Sequence, residues 1–224
     1  DYPMYAVMTL VASSGSYVLN FIRLRKYIFF KRYPHYDFMP HIKAAMVFFA
    51  MTVATTVYTN LDTVMLGFMS GNAEVGYYNA AVKVKQILVS LVTSLGAVLL
   101  PRLSYYVQSD RREQFYRVVV KAMRIVFFLA IPLMVFFMMF AEEVILILSG
   151  EAYLAAVQPM QIIMPTLLFI GITNLLGLQI MVPMGQERLV VISVVAGGIL
   201  DLILNAVLIP GYGASGAAIG TLAA

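Results

Sequence analysis

AAMVFFAMTVATTVYTNLDTVMLGFM (residues 44–69) and GYYNAAVKVKQILVSLVTSLGAVLLP (residues 76–101) are two apolar stretches separated by a short polar turn. Each is long enough to cross a bilayer as a helix, because ~20 residues at ~1.5 Å per residue span the ~30 Å hydrocarbon core. The first stretch contains Asp62, and the second contains Lys83 and Lys85. A charge in hydrocarbon is costly unless it faces protein or water, so these three residues are candidates for a transport pathway.

Polar residues recur at helical spacing along both stretches, which places them on one face of each helix. The members are Thr52, Thr55, Thr56, Thr59, Asp62 and Thr63 on the first helix, and Lys83, Gln86, Ser90, Thr93 and Ser94 on the second. We therefore predict that each helix presents a polar stripe to something other than lipid.

The composition of the whole chain is that of an integral membrane protein. Of its 224 residues, 62% are hydrophobic and 12% are charged, and the mean hydropathy is +0.88. Runs of ~20 apolar residues favour helices over the ~10-residue alternating strands of a membrane barrel. The sequence thus predicts an all-α polytopic bundle. The predicted spans are Pro3–Ile22, Ala44–Met69, Tyr77–Leu100, Val118–Phe140, Met160–Val182 and Leu189–Ile209, with a further run from Gly213 that leads us to expect a fragment.

Basic residues concentrate in alternate connections. Six of the fifteen Lys and Arg residues lie in residues 23–43, six in residues 102–124, and one is Arg188. The other connections, residues 70–76 and 142–158, contain glutamates and no basic residue. By the positive-inside rule we predict that the first group is cytoplasmic and that the second faces outward. This distribution does not indicate a nucleic-acid partner.

Depth in the membrane suggests how the charges pair. With a turn at residues 70–76, Asp62 lies eight residues before the turn and Lys83 seven after it, so we predict an ion pair between them. Lys85 points ~200° away from Lys83 around the helix, so Lys83 is the expected transport residue. Asp201 and Asn205 share a face at i, i+4, and either buried bonding or a coupling role would satisfy their polar atoms.

Three segments carry a family resemblance. LDTVMLGFMSGNAEVGYYNAAVKV (residues 61–84) and GAVLLPRLS (residues 96–104) resemble the seventh and eighth helices of the polysaccharide-transporter branch of the multidrug/oligosaccharidyl-lipid/polysaccharide flippase superfamily. ILDLILNAVLIPGYGASGAAIGTLA (residues 199–223) is similar to the turn between the eleventh and twelfth helices of that family. The resemblance implies a two-lobed fold. Residues 1–22 would be the sixth helix, residues 23–43 a cytoplasmic linker, and residues 44–224 a second lobe that lacks the end of its last helix.

The resemblance also implies a function. Family members are thought to move undecaprenyl-diphosphate-linked oligosaccharides outward across the bacterial inner membrane by alternating access. Asp62, Lys83 and Lys85 would then fall in or near the central cavity, and H⁺ or Na⁺ would be a possible coupling ion. Gln86 and Thr59, from the polar stripes, are the further candidate substrate contacts. We expect no catalytic residue, no cofactor and no metal site. A cation-coupled multidrug exporter of the same superfamily and a transferase acting on polyprenyl lipids are the alternatives, although the two lysines favour an anionic substrate.

Overall fold

The computed structural model describes residues 2–24 and 38–224, and for some residues of the first two helices and for Leu95 and Ala97 it describes the backbone alone. The described chain is helical throughout, with α1 at Tyr2–Leu24, α2 at Met39–Met69, α3 at Asn72–Gln108, α4 at Arg112–Met139, α5 at Ala141–Ser149, a 3-10 helix at Glu151–Ala156, α6 at Val157–Ile163, α7 at Thr166–Asn174, a π-helical segment at Leu175–Met181 and α8 at Glu187–Ala223. The all-α membrane fold predicted from composition is confirmed. The chain divides into two compact units, Asp1–His41 and Ile42–Ala224.

The first unit consists of α1 and the start of α2, as the described residues show. The predicted span at residues 3–22 lies within α1. Most of the predicted basic linker, residues 25–37, lies outside the described residues.

The second unit begins with the hairpin of α2 and α3, whose turn is shorter than predicted. The helices are joined at Ser70 and Gly71, and Gly71 has a φ of 91°, a conformation that glycine adopts without steric cost. The amide nitrogens of both residues donate to the carbonyl of Leu66, which closes α2. Helix α3 therefore starts at Asn72 rather than near Tyr77, and every residue on it lies five positions further from the turn than predicted.

The predicted end of α3 at Pro101 is wrong. Pro101 lies inside α3, which continues to Gln108. Only the turn at residues 109–111 separates α3 from α4, where Asp110 adopts a φ of 48°. Pro132 lies inside α4, within the predicted span Val118–Phe140.

The predicted span at residues 160–182 is a broken helix. Pro165 interrupts it between α6 and α7, and the two parts meet at 48°. After Asn174 the chain winds as a π-helix, which buries the side chain of Gln179. Gly171, on α7, allows that helix to pack closely against α3, since a Cβ at Gly171 would lie 2.9 Å from a methyl group of Val92.

Helix α8 consists of two arms that meet at Gly213, whose φ of 53° and ψ of −130° are not helical. A Cβ on Gly216 would lie 2.6 Å from the carbonyl oxygen of Leu208, and one on Gly197 would lie 3.2 Å from the carbonyl oxygen of Ala224. The second arm therefore runs back along the first. The predicted reversal after Ile209 is present, but it lies at Gly213 and not at Pro210 and Gly211, which remain inside the first arm. The helical run predicted from Gly213 is the second arm.

Three of the described helices, α3, α4 and α8, are long and apolar enough to cross a membrane, and the bent pair of residues 151–163 and 166–181 makes a fourth if it is one span. The core between them contains Leu66, Leu88 and Met160. Large apolar side chains remain exposed on their outer faces, among them Val98 on α3, Phe128 on α4 and Val207 on α8. Such a surface is suited to lipid and not to water.

Candidate functional site

The side chain of Asp62 lies in the interior of the second unit, with 3% of its surface exposed. Three donors from three different helical segments bind its carboxylate. The hydroxyl of Tyr78 on α3 donates to Oδ2 at 2.5 Å, the amide of Asn205 donates to Oδ1 at 2.7 Å, and the hydroxyl of Thr221 donates to Oδ2 at 2.8 Å. Asp62 therefore joins α2, α3 and both arms of α8.

A second carboxylate, that of Asp201, completes this polar cluster. The side chains of Asp201 and Asn205 are fully buried. Neither oxygen of Asp201 has a hydrogen-bond partner among the described residues, nor does Oδ1 of Asn205. A Cβ on Gly220 would collide with Oδ1 of Asn205 and lie 3.1 Å from Oδ1 of Asp201. Gly220 is thus the small residue that lets these unsatisfied oxygens face a common point.

The two carboxylates are also close to each other and to Lys85. Asp62 and Asp201 lie within hydrogen-bonding reach, but two ionised carboxylates supply no donor between them. Lys85, half-buried on α3, lies within electrostatic range of both. If all three groups are charged, the cluster has one net negative charge. Burial of an uncompensated charge is strongly unfavourable, so this arrangement suits one additional monovalent cation.

The predicted ion pair between Asp62 and Lys83 is wrong. Lys83 is exposed, and the ion pairs among the described residues are Arg112–Asp110 and Arg117–Glu113. The turn between α2 and α3 has two residues and not the predicted seven. With the turn at Ser70 and Gly71, the residue level with Asp62 is Tyr78, which does contact it.

The polar stripe predicted on α3 is solvent-accessible in the second unit. Lys83, Gln86, Ser90 and Ser94 are exposed, whereas Lys85 is turned toward the two carboxylates. Thr59, the remaining predicted substrate contact, has its side chain outside the described residues. The structure thus separates the predicted site residues into an exposed stripe and a buried cluster.

A further contact fixes the second arm of α8. Oε2 of Glu74, in the first turn of α3, accepts a hydrogen bond of 2.7 Å from the backbone amide of Ala214, the first residue after the kink. The hydroxyl of Ser70 donates to the carbonyl of Ile209 at 3.3 Å. A cleft of about 420 Å³, partly lined by Glu74 and Tyr212, opens beside this contact. The α2–α3 turn therefore positions the arm that contains Gly220 and Thr221.

Sequence reasoning found Asp62, Asp201 and Asn205 but missed Tyr78 and Thr221. Tyr78 lies in a largely apolar stretch and gave no polar signal of its own. Only the correct length of the α2–α3 turn places it level with Asp62. Thr221 lies in the second arm, whose antiparallel return brings it to the cluster. No group of three or more His, Cys, Asp or Glu side chains suited to a metal ion occurs in the described part of the chain.

Comparison with known proteins agrees with the resemblance drawn from the motifs. Residues 5–158 match the family described as polysaccharide biosynthesis protein, which is more than half of the chain. The chain belongs to this family. The predicted assignment to the polysaccharide-transporter branch of the flippase superfamily is confirmed, and the chain is a multi-pass membrane protein.

Individual relatives carry related names. The chain is 25% identical over 209 residues to a putative O-antigen transporter of Shigella dysenteriae, covering 93% of this chain and 52% of that protein. It is 27% identical over 175 residues to the putative O-antigen transporter of Escherichia coli strain K12, covering 78% and 42%. It is 23% identical over 164 residues to the probable low-salt glycan biosynthesis flippase Agl15 of Haloferax volcanii, covering 73% and 34%. The chain spans about half or less of the length of these relatives. No solved structure matches it.

Proposed function

We propose that this chain forms the linker and second lobe of a flippase that moves undecaprenyl-diphosphate-linked oligosaccharide across the bacterial inner membrane for cell-surface polysaccharide synthesis. The family match and the names of the relatives support this role. Such a protein is a transporter and not an enzyme. Alternating access of two lobes would carry the substrate outward.

The observation that best supports an anionic lipid-linked substrate is the exposed stripe on α3. Lys83 places a positive charge on a membrane-spanning helix, and Gln86, Ser90 and Ser94 place hydrogen-bonding groups on the same face. A lysine in this position would attract a diphosphate, while the amide and hydroxyl groups would bind sugar hydroxyls. The same lysine would repel a cationic drug, which argues against the multidrug alternative.

We propose that the buried cluster binds the coupling ion. With Asp62, Asp201 and Lys85 all charged, the net charge of minus one would be neutralised by one H⁺ shared between Asp62 and Asp201, or by one Na⁺ held by the unpaired oxygens of Asp201 and Asn205. Because Asn205 and Thr221 belong to the two arms of α8, a change of occupancy would alter how these arms are held to α2. This assigns Asp62 and Lys85 to the ion site and leaves Lys83 and Gln86 to the substrate.

The test uses the full-length protein in a strain that lacks its own flippase, with accumulation of lipid-linked oligosaccharide on the inner leaflet as the readout. We expect Lys83→Gln to reduce flipping about 10- to 100-fold, the loss of one charge-assisted contact, and Lys83→Arg to retain most of it. Lys121→Gln, an exposed lysine on α4 outside the stripe, is the matched control. Normal flipping by Lys83→Gln at matched expression would refute the assignment of the stripe.

A further inference from the structure

The turn between α3 and α4 brings arginines and tyrosines together. Helix α3 has 37 residues and is therefore ~55 Å long, which exceeds the ~30 Å hydrocarbon core. Part of the helix therefore extends beyond the hydrocarbon, and the basic residues place its last two turns among these parts by the positive-inside rule. These turns contain Arg102, Tyr105 and Tyr106, and both arginine and tyrosine are residues suited to the headgroup layer.

Two guanidinium groups are held against two neighbouring rings. Nε of Arg102 donates to the hydroxyl of Tyr106 at 3.0 Å, and its Cζ lies 5.7 Å from that ring centroid. Cζ of Arg111 lies 5.7 Å from the ring centroid of Tyr105. The two rings are adjacent, with their centroids 5.9 Å apart. Each of two neighbouring tyrosines therefore holds one arginine beside its ring.

The backbone of the turn brings Arg111 into this position. Asp110 adopts a φ of 48°, which reverses the chain, and the amide nitrogen of Arg111 donates to the carbonyl of Tyr106 at 2.9 Å. Arg111 is thereby directed back along α3 toward the ring of Tyr105. The turn therefore places Arg111 beside the last turns of α3, which also contain Arg102.

The other two arginines of the turn are neutralised. Arg112 pairs with Asp110 at 3.0 Å, and Arg117 pairs with Glu113 at 2.5 Å. Both acidic residues of the turn are thus occupied, and the described residues provide no ion pair for Arg102 or Arg111. Two positive charges remain, and they belong to the two arginines that the tyrosines orient.

We propose that Arg102 and Arg111 form a binding site for the phosphate of an anionic phospholipid in the leaflet that the positive-inside rule predicts to be cytoplasmic. Each guanidinium offers a planar fork of donors that matches phosphate geometry. Exposed Tyr116 and Val120, on the adjoining α4, provide an apolar surface for the upper part of the acyl chains. This apolar surface and the depth of the site favour a lipid headgroup over a soluble anion. A lipid bound here would hold the ends of α3 and α4 at a fixed depth.

The experiment is native mass spectrometry of the purified full-length protein, delipidated and titrated with phosphatidylglycerol or phosphatidylcholine. We expect Arg102→Gln/Arg111→Gln to bind phosphatidylglycerol about 30-fold more weakly, since each basic residue near an anionic surface contributes roughly a factor of five. Phosphatidylcholine binding should not change. The matched control, Arg112→Gln/Arg117→Gln, removes the same formal charge from arginines that are already paired and should retain phosphatidylglycerol.

Several outcomes would overturn the proposal. Equal losses in the two double variants would mean that only net charge matters, and displacement of the lipid by millimolar inorganic phosphate would indicate a site for a soluble anion. Preference for an undecaprenyl diphosphate over phosphatidylglycerol would assign the arginines to the substrate. If the glutamine variant does not fold, Arg102→Lys/Arg111→Lys is used instead, because it keeps the charge and loses the planar fork of donors. Its affinity for phosphatidylglycerol should still fall. Wild-type affinity in this variant would refute the proposed geometry.

Discussion

The same substitution at the two buried aspartates should change stability in opposite directions. Asp62→Asn removes a carboxylate that accepts hydrogen bonds from Tyr78, Asn205 and Thr221, at 2.5 to 2.8 Å. Asp201→Asn instead introduces an amide donor where both oxygens lack a partner. The amide can donate to Asp62, and the substitution also removes the repulsion between two neighbouring carboxylates.

The expected magnitudes follow from the hydrogen bonds. A bond to a charged group contributes ~1.5–3 kcal/mol and a neutral one ~0.5–1.5 kcal/mol, so Asp62→Asn should lose about 1 kcal/mol for each of three bonds. Asp201→Asn should gain about 1.5–3 kcal/mol from the new bond to the Asp62 carboxylate. Near ~2–4 °C per kcal/mol for a domain of this size, these changes are shifts in Tm of several °C, downward and upward respectively.

The measurement is the Tm of the full-length protein in detergent and Na⁺-free alkaline buffer. Size-exclusion chromatography after heating reports the fraction that remains folded at each temperature. Addition of Na⁺ or of protons should raise the Tm of the wild type, because either cation neutralises the cluster, and should leave Asp201→Asn almost unchanged. Asp110→Asn, which removes an exposed ion pair worth ~0–1 kcal/mol, is the control. Equal decreases in Tm for both buried variants would refute the two-carboxylate site.

Three further variants test the surroundings of the cluster and the topology. Glu74→Gln should lower the free energy of unfolding by about 1 kcal/mol because it weakens the contact to the second arm of α8. The control Glu142→Gln, at an exposed residue, should have little effect. Identical Tm values for the two variants would contradict the role of Glu74 in holding this arm. Gly220→Ala should abolish the dependence of Tm on Na⁺ or pH, since its Cβ occupies the point that the unpaired oxygens face, and a retained dependence would place the ion elsewhere. A cysteine at Ser109 should resist membrane-impermeant reagents in intact cells, and labelling from outside would reverse the predicted orientation.

The family and the membrane fold could be predicted from sequence because they depend on local patterns. Apolar runs of sufficient length require helices in a bilayer whatever surrounds them, and the motifs near Asp62 and Pro210 lie in contiguous residues. The same local periodicity correctly placed Asp201 and Asn205 on one face of a helix. It also placed Lys83 on an exposed stripe and Lys85 on a different side of α3.

The partners of these residues depended on the tertiary structure. Gly71 allows a turn five residues shorter than predicted, and this change replaces Lys83 by Tyr78 at the level of Asp62. Thr221 reaches the cluster only because α8 folds back at Gly213. A sequence pattern gives the face on which a side chain lies, whereas the length of a turn and the reversal of a helix decide which faces meet.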